Sequence, residues 1–415
     1  MSADFIPVIV GTDINTYLTG VCFHEEYGVR PYLLGREGMG VTRYSSLFER
    51  TRFDADIEDA DGLVAALRSY AEEIPHEGRP LVLVGTSDKY VRLIVENRER
   101  LEDLYRMNVP PAEVNAALQD KRRFYALAAE HGLPIPETHF HQVGEPITMQ
   151  ISRYPVIIKP SNGIEYFRHE FPGREKVYRV DDEQQLHEVV SRIEAGGYRD
   201  QLIVQDFIPG DDTCIWDSVL YLNSAGRGEF VTFGQVALQE HTATAVGNYT
   251  AVVSRYDRPM MEQLVRFLET IGYTGFANAD LKWDHRDGQY KVLEFNTRQG
   301  RSSYYATQLG HNLARHLVDD VVHGRRGELT YAEGEVLFTV VPRYILRRYV
   351  QNPRMAADVR RLIRSGRWSN PLWYRGDWHL KRRAFLLMRG YRYAKKYRES
   401  TWIRDGDAAV PAQAD

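Results

Sequence analysis

Asp280, Glu294 and Asn296 are the residues whose type and spacing most clearly suit shared chemistry. They lie in GFANADLKWDHRDGQYKVLEFNTRQGRSS, residues 275–303. Two apolar runs, FANADLKW and YKVLEF, flank a turn-like DHRDG, and an antiparallel hairpin through that turn brings Asp280 and Glu294 face to face. Two carboxylates and an amide oxygen make a hard oxygen site. Such a site suits Mg²⁺, which takes one or two carboxylates and leaves its other positions to phosphate and water. Taken alone, the stretch reads equally well as a surface hairpin with ordinary polar residues.

Two lysines supply the charge such a site would need. Lys121 begins the helical segment DKRRFYALAAEHG, which Gly132, Pro134 and Pro136 close. Lys159 ends the apolar run YPVIIK and precedes Pro160-Ser161-Asn162-Gly163. A lysine there directs its ammonium at a phosphate while the turn's N–H groups face the same anion. The competing reading is an edge lysine that guards a strand from aggregation. Asp13, Ile14, Asn15 and Thr86–Asp88 follow apolar runs and are substrate-side candidates, because ligands of parallel α/β sheets lie beyond the carboxyl ends of strands. The Asp, Thr and Ser among them also read as helix N-caps, the favoured reading for any single one. GREGMG at 35–40 lacks dinucleotide spacing, and HEEYG is not a zinc motif.

The elements that must carry these residues follow from periodicity. FIPVIV, then a helical pattern to Glu26, then VRPYLL open a parallel α/β unit, with a helix at 61–73 and a further buried strand, PLVLV. A strand–helix–strand order continues through a helix at 181–195, strands at 201–208, 213–222 and 230–237, and a helix at 259–271. QEHTATAVGNY at 239–249 reads as a loop of the kind that closes over substrates. His241 within it is either a base for an amine or, the favoured reading, merely solvated. The chain has 415 residues and 43% hydrophobic content, enough for two to three domains. Two cysteines, Cys22 and Cys214, make no disulfide framework and fit a reduced, cytoplasmic protein. There is no secretory signal and no run long and apolar enough to span a bilayer.

In sequence order, the helix with DK, then VIIKPSNG, VQDFIPGDD, a polar loop and NADLKWD…VLEFNTRQG resemble the ATP-grasp superfamily, whose members activate a carboxylate as an acyl phosphate. The resemblance implies an α/β (α+β ATP-grasp) fold. A doubly wound parallel domain would occupy 1–115, a small lid subdomain 116–200, a second ATP-grasp subdomain with the Mg²⁺ site 201–333, a basic helical appendage 334–404, and a disordered tail 405–415. It implies that Lys121 and Lys159 hold the ATP phosphates. Gln205 and Asp206, with the backbone of Phe207 and Ile208, would meet adenine, and Asp212 or else Asp211 the ribose. Asp280, Glu294 and Asn296 would bind two Mg²⁺. Arg298 and Arg301, beside Ser302 and Ser303, would face the acyl phosphate or the substrate carboxylate, with Lys159 as a further catalytic group. Two departures stand out: Gln205 replaces a frequent Glu, and Asn278 replaces a frequent Arg. The N-terminal TDIN and HEEYG segments resemble a group of bacterial carboxylate–amine ligases related to peptidoglycan D-aspartate ligase. That resemblance implies an amine acceptor on a cell-wall precursor and places Asp13 and Asn15 toward the substrate. Alternatives are a membrane-associated ATP-binding scaffold without catalysis, or an ATP-grasp carboxylase or kinase.

Charge is unevenly spread. Residues 340–404 carry 18 Lys/Arg against 3 Asp/Glu, a net of +15, so the remainder of this −4 chain carries −19. With their interleaved Trp and Tyr, these residues read as contacting an anionic membrane surface at the inner face of the membrane. The second reading is a helical segment docked on the acidic body, and nucleic acid is not expected.

Overall fold

The computed structural model describes residues 3–399 apart from 176 and 242–246. The expected disordered tail, 405–415, and the middle of the 239–249 loop lie outside the described residues. Ile6–Val10 and Leu81–Gly85 are buried along their whole length, as strands covered on both faces must be. They form the centre of an all-parallel five-stranded sheet ordered Arg50–Phe53, Tyr32–Gly35, Ile6–Val10, Leu81–Gly85, Tyr105–Arg106. Alternate strand residues divide between two cores. Ile9, Leu33, Val82 and Val84 join helix Ile14–Tyr27 on one face. Val8, Val10, Leu81 and Leu83 join helices Ala60–Glu73 and Asp88–Glu96 on the other. Asp13 caps the first helix by accepting from the Thr16 N–H, and Gly28 ends it in the left-handed region at φ 66°.

A second, antiparallel sheet runs Thr138–Gln142, Gln201–Asp206, Val156–Pro160, Tyr178–Val180 and packs under helix Glu183–Ala195. Val156–Pro160 is an inner strand, so Lys159 does not guard an edge. The third sheet is the largest, with nine strands. Its main path is Gln289–Asn296, Gly275–Asp284, Ile215–Leu222, Phe233–Gln239, Tyr249–Arg255, Leu337–Thr339 and Trp368–Ser369. Gly275–Asp284 and Gln289–Asn296 pair antiparallel, with Asp280 opposite Glu294 and Asn278 opposite Asn296. Helices Lys121–Glu130 and Arg258–Thr270 cover one face of this sheet, with Phe124, Met261, Leu264 and Phe295 in the shared core.

The basic C-terminal segment is helical at Arg343–Tyr349, Pro353–Arg364 and Leu380–Glu399. It also adds two strands to the large sheet, and Ile345, Leu346, Val359 and Leu362 pack with Ala237, Leu238 and Val253. This segment is therefore docked on the large sheet through strand pairing and apolar packing. No helix among the described residues is long and apolar enough to cross a membrane.

Candidate active site

The hairpin holds its two acids close because the ladder register leaves them no choice. Asp280 is further opposed by Asp217 across the Ile215–Leu222 strand. Burial raises the Asp280 carboxyl well above the usual range, and the charges of Glu294 and Asp217 push it the same way. Tyr249 Oη donates to Asp280 Oδ1 at 2.9 Å, and Asn296 Nδ2 donates to Oδ2 at 2.9 Å. Burial pushes the Asp217 carboxyl up to about 6. Its Oδ1 accepts from Asn278 Nδ2, and its Oδ2 has no hydrogen-bond partner among the described residues. Asn278 thus has a structural task, and Gly300 packs closely on it: a Cβ on Gly300 would stand 2.5 Å from Asn278 Oδ1.

The second, antiparallel sheet reaches this hairpin through polar contacts. Lys159 Nζ donates to Gln205 Oε1 at 3.3 Å, and Gln205 Nε2 donates to Tyr125 Oη and to Thr138 Oγ1, both at 2.8 Å. Tyr125, on the helix that Lys121 begins, donates in turn to the Leu293 carbonyl at 3.0 Å, one residue from Glu294. Desolvation lowers the Lys159 ammonium to about 7, and repulsion from Lys121 adds to it, while Glu294 opposes. Both lysines and Glu294 therefore share one electrostatic neighbourhood. Lys121 itself is exposed at the helix N-terminus.

The adenine-side candidates are divided. Asp206 is held by Arg286 at 2.6 Å and Arg153 at 3.1 Å, so its carboxylate is neutralised within the protein. The Phe207 N–H donates to the Pro155 carbonyl at 3.1 Å, and its ring lies under Arg179 and Lys282. Ile208 is buried. Asp211 caps a short turn through the Thr213 N–H. Asp212 accepts from the Gln239 N–H at 3.1 Å and from Gln239 Nε2 at 2.9 Å. His241 Nε2 meets the same carboxylate at 2.7 Å, and the ring packs edge-on to Tyr397. The solvated reading of His241 is thereby corrected: an adjacent acid and a C-terminal ring bury it.

Beyond the hairpin the N-terminal domain closes on the segment 298–303. Arg298 Nη2 donates to Asp88 Oδ2 at 2.8 Å and to Asn296 Oδ1 at 3.2 Å. Asn15 Nδ2 donates to the Thr86 carbonyl at 2.8 Å and the Gln299 carbonyl at 2.6 Å. Asp13 remains a cap. Ser302 and Ser303 are buried, and Ser303 Oγ accepts from the Gly300 N–H at 2.6 Å. Arg301 Nη1 donates to Glu240 Oε1 at 3.3 Å. Glu240 also accepts from Tyr393 Oη at 2.7 Å and faces Lys396. Asp217, Tyr125, Tyr249, Glu240 and Tyr393 are the site residues that sequence reasoning missed. Both cysteines are free and buried, and burial pushes the Cys22 thiol up to about 12, so neither supplies a ready nucleophile.

Fit to a divalent cation can be judged from the donors. Among the described residues no group of three or more His, Cys, Asp or Glu side chains is arranged as a metal centre. The donors are instead two opposed carboxylates, an Asn amide and, beyond them, the orphaned Asp217 oxygen. Two carboxylates with the remaining positions left to phosphate and water match Mg²⁺. A cation there would also relieve the repulsion that raises Asp280.

Comparison with known proteins bears on the fold. No family model matches the chain. A D-aspartate ligase from Enterococcus faecium is 28% identical over 413 residues, covering 97% of this chain and 98% of that protein. The L-amino acid ligase from Bacillus licheniformis superposes with a TM-score of 0.54 at 16% identity, covering 77% of this chain and 74% of that one. The biotin carboxylase domain of the Hydrogenobacter thermophilus 2-oxoglutarate carboxylase, in complex with MgADP and bicarbonate, gives 0.56 at 13% identity, covering 80% and 74%. Along nearly its whole length the chain resembles a D-aspartate ligase, and it shares its fold with the L-amino acid ligase and the biotin carboxylase domain.

Proposed function

We propose that the protein uses ATP and Mg²⁺ to activate an acidic amino acid, D-aspartate in the first instance, and joins it to an amine on a cell-wall precursor. One observation carries the reading. One set of contacts runs from Lys159 through Gln205 and Tyr125 to the backbone of Leu293, next to Glu294, and another from Asp280 through Asn296 to Arg298. Phosphoryl transfer needs such an array, because cations must meet the charge that gathers on the transferred oxygens. Lys159 and Lys121 hold the nucleotide phosphates. Asp280, Glu294 and Asn296 hold Mg²⁺, which neutralises phosphate charge when bound. Arg298 and Arg301 orient the substrate carboxylate, whose oxygen attacks the γ-phosphorus as the bond to ADP breaks. The amine nitrogen then attacks the acyl carbon, and phosphate leaves. Arg suits the orienting role because its fork matches carboxylate and phosphate geometry.

The test is phosphate release from the full chain with ATP and Mg²⁺, screened over D- and L-amino acids with and without amine acceptors. Release is expected with D-aspartate, raised by an amine. Glu294→Ala is expected to lower the rate by about a hundredfold or more. No release with any amino acid rejects the ligase reading, and a normal rate for Glu294→Ala rejects the metal assignment.

A further inference from the structure

Helix Leu380–Glu399 is apolar on two opposite sides, and among the described residues only one is covered. The docked side presents Arg382, Leu386, Gly390, Tyr393 and Tyr397 at i, i+4, i+8, i+11 and i+15. The other side presents Leu380, Ala384, Leu387, Met388 and Tyr391, at i, i+4, i+7, i+8 and i+11, to solvent. Leu380 is 71% exposed, Leu387 67%, Tyr391 66% and Met388 47%. Trp378, just before the helix, is 62% exposed. Tyr344, also exposed, donates through its hydroxyl to the Gly390 carbonyl of the docked side at 3.0 Å. Single exposed apolar residues need no explanation, but a continuous stripe along one helical face does.

Charge says what covers the stripe. At 3.6 residues per turn, Lys381 and Arg392 flank one side and Arg383 the other, with Lys395 at its C-terminal end. All four are exposed. Arg383 also lies 5.2 Å from the Trp378 ring, so cation and aromatic ring sit at the same border. The helix carries one acid, Glu399, at its far end. Two copies joined through this face would bring like charges together. Aliphatic Leu387 and Met388 in the centre offer nothing to stack on a nucleic-acid base. A bilayer takes an apolar stripe into its acyl boundary and pairs the basic flanks with anionic headgroups. We propose that the solvent-facing stripe of helix 380–399 is a docking surface for an anionic lipid membrane. The helix lies in the plane of the interface, held to the protein by its opposite face. This surface is independent of the ligase chemistry.

Flotation of the full chain with lipid vesicles tests it. At low salt the protein is expected to float with vesicles containing phosphatidylglycerol and not with vesicles of phosphatidylcholine alone. Leu387→Glu with Tyr391→Glu, and separately Lys381→Glu with Arg392→Glu, are each expected to cut the bound fraction roughly tenfold. All four residues are exposed, so the thermal unfolding midpoint should not move, and the two pairs act by different physics. The proposal is overturned if the protein does not float with anionic vesicles, or if Leu387→Glu with Tyr391→Glu binds as wild type. It is also overturned if sedimentation reveals a dimer that this same pair dissolves, because a second copy then covers the face.

Discussion

At the scale of single residues, Lys159 is the group whose state most sharply reports on the site. Burial and Lys121 lower its ammonium from the ordinary value to about 7. In the unfolded chain the same lysine remains protonated to much higher pH. Between these limits the unfolded state binds more protons, so this lysine's contribution to stability rises with pH and is lost as pH falls toward 7. Polyphosphate brings the opposite charge and restores the ammonium. ATP binding near pH 8 is therefore expected to take up close to one proton, visible as a calorimetric heat that depends on the buffer's ionisation enthalpy. Lys159→Met should abolish that dependence. A binding heat independent of buffer in the wild-type protein would mean that Lys159 is already charged. Legibility varied residue by residue. Asp280 and Glu294 were readable because the alternation of YKVLEF and the turn DHRDG set a register that sequence carries. Asp217 was not, because its opposition to Asp280 depends on which strand lies next in the sheet. Tyr125 looked like one more apolar helix residue, and nothing local told its hydroxyl to reach Gln205.

At the scale of elements, the C-terminal helix does something its composition did not announce. Its inner face sends Tyr393 and Lys396 to Glu240, which faces Arg301, while Tyr397 Oη donates to the Gln239 carbonyl at 2.7 Å. The basic and aromatic residues suggested membrane contact or docking on the acidic body but not the contacts with Glu240 and Gln239, because helical periodicity identifies a face and not what the face meets. The strands and helices of the α/β portion were easier to foresee, since buried strands such as PLVLV and capped helices such as that at 60–73 declare themselves locally. THFHQ at 138–142 did not, being a polar and only partly buried edge strand. Tyr393 is a positioning residue in this arrangement. Tyr393→Phe removes one hydrogen bond to Glu240 and leaves the ring in place. It should raise KM for the amino acid several-fold and leave KM for ATP unchanged. If both constants hold at wild-type values, the helix has no part in orienting Arg301.

At the scale of the whole molecule, the two ends of the chain are locked together by one buried ion pair. Arg382 Nε lies 2.7 Å from Asp377 Oδ2, with both side chains almost wholly buried. The guanidinium donates to the Val41 carbonyl at 3.0 Å and the Leu372 carbonyl at 2.9 Å, and stacks 4.0 Å from the Tyr17 ring centroid. Asp377 accepts from the Ser45 hydroxyl and from the Ser46 N–H and hydroxyl. Each nitrogen of the guanidinium and each oxygen of the carboxylate thus finds a partner within the pair, in the N-terminal domain or in the segment before the helix. Beside it, Phe385 rests where Gly40 has no side chain: a Cβ there would stand 2.2 Å from the ring. A buried pair satisfied in this way adds little net stability over an apolar substitute, but removing one member leaves the other charged and dry. Arg382→Ala is accordingly expected to destabilise the protein by about 3–5 kcal/mol. Arg382→Met combined with Asp377→Asn should recover most of that loss. Urea unfolding of the full chain measures both, with a lowered midpoint for the single variant and partial recovery for the double. Equal loss in the two variants would mean that packing over Tyr17, and not the stranded carboxylate, is what the arginine secures.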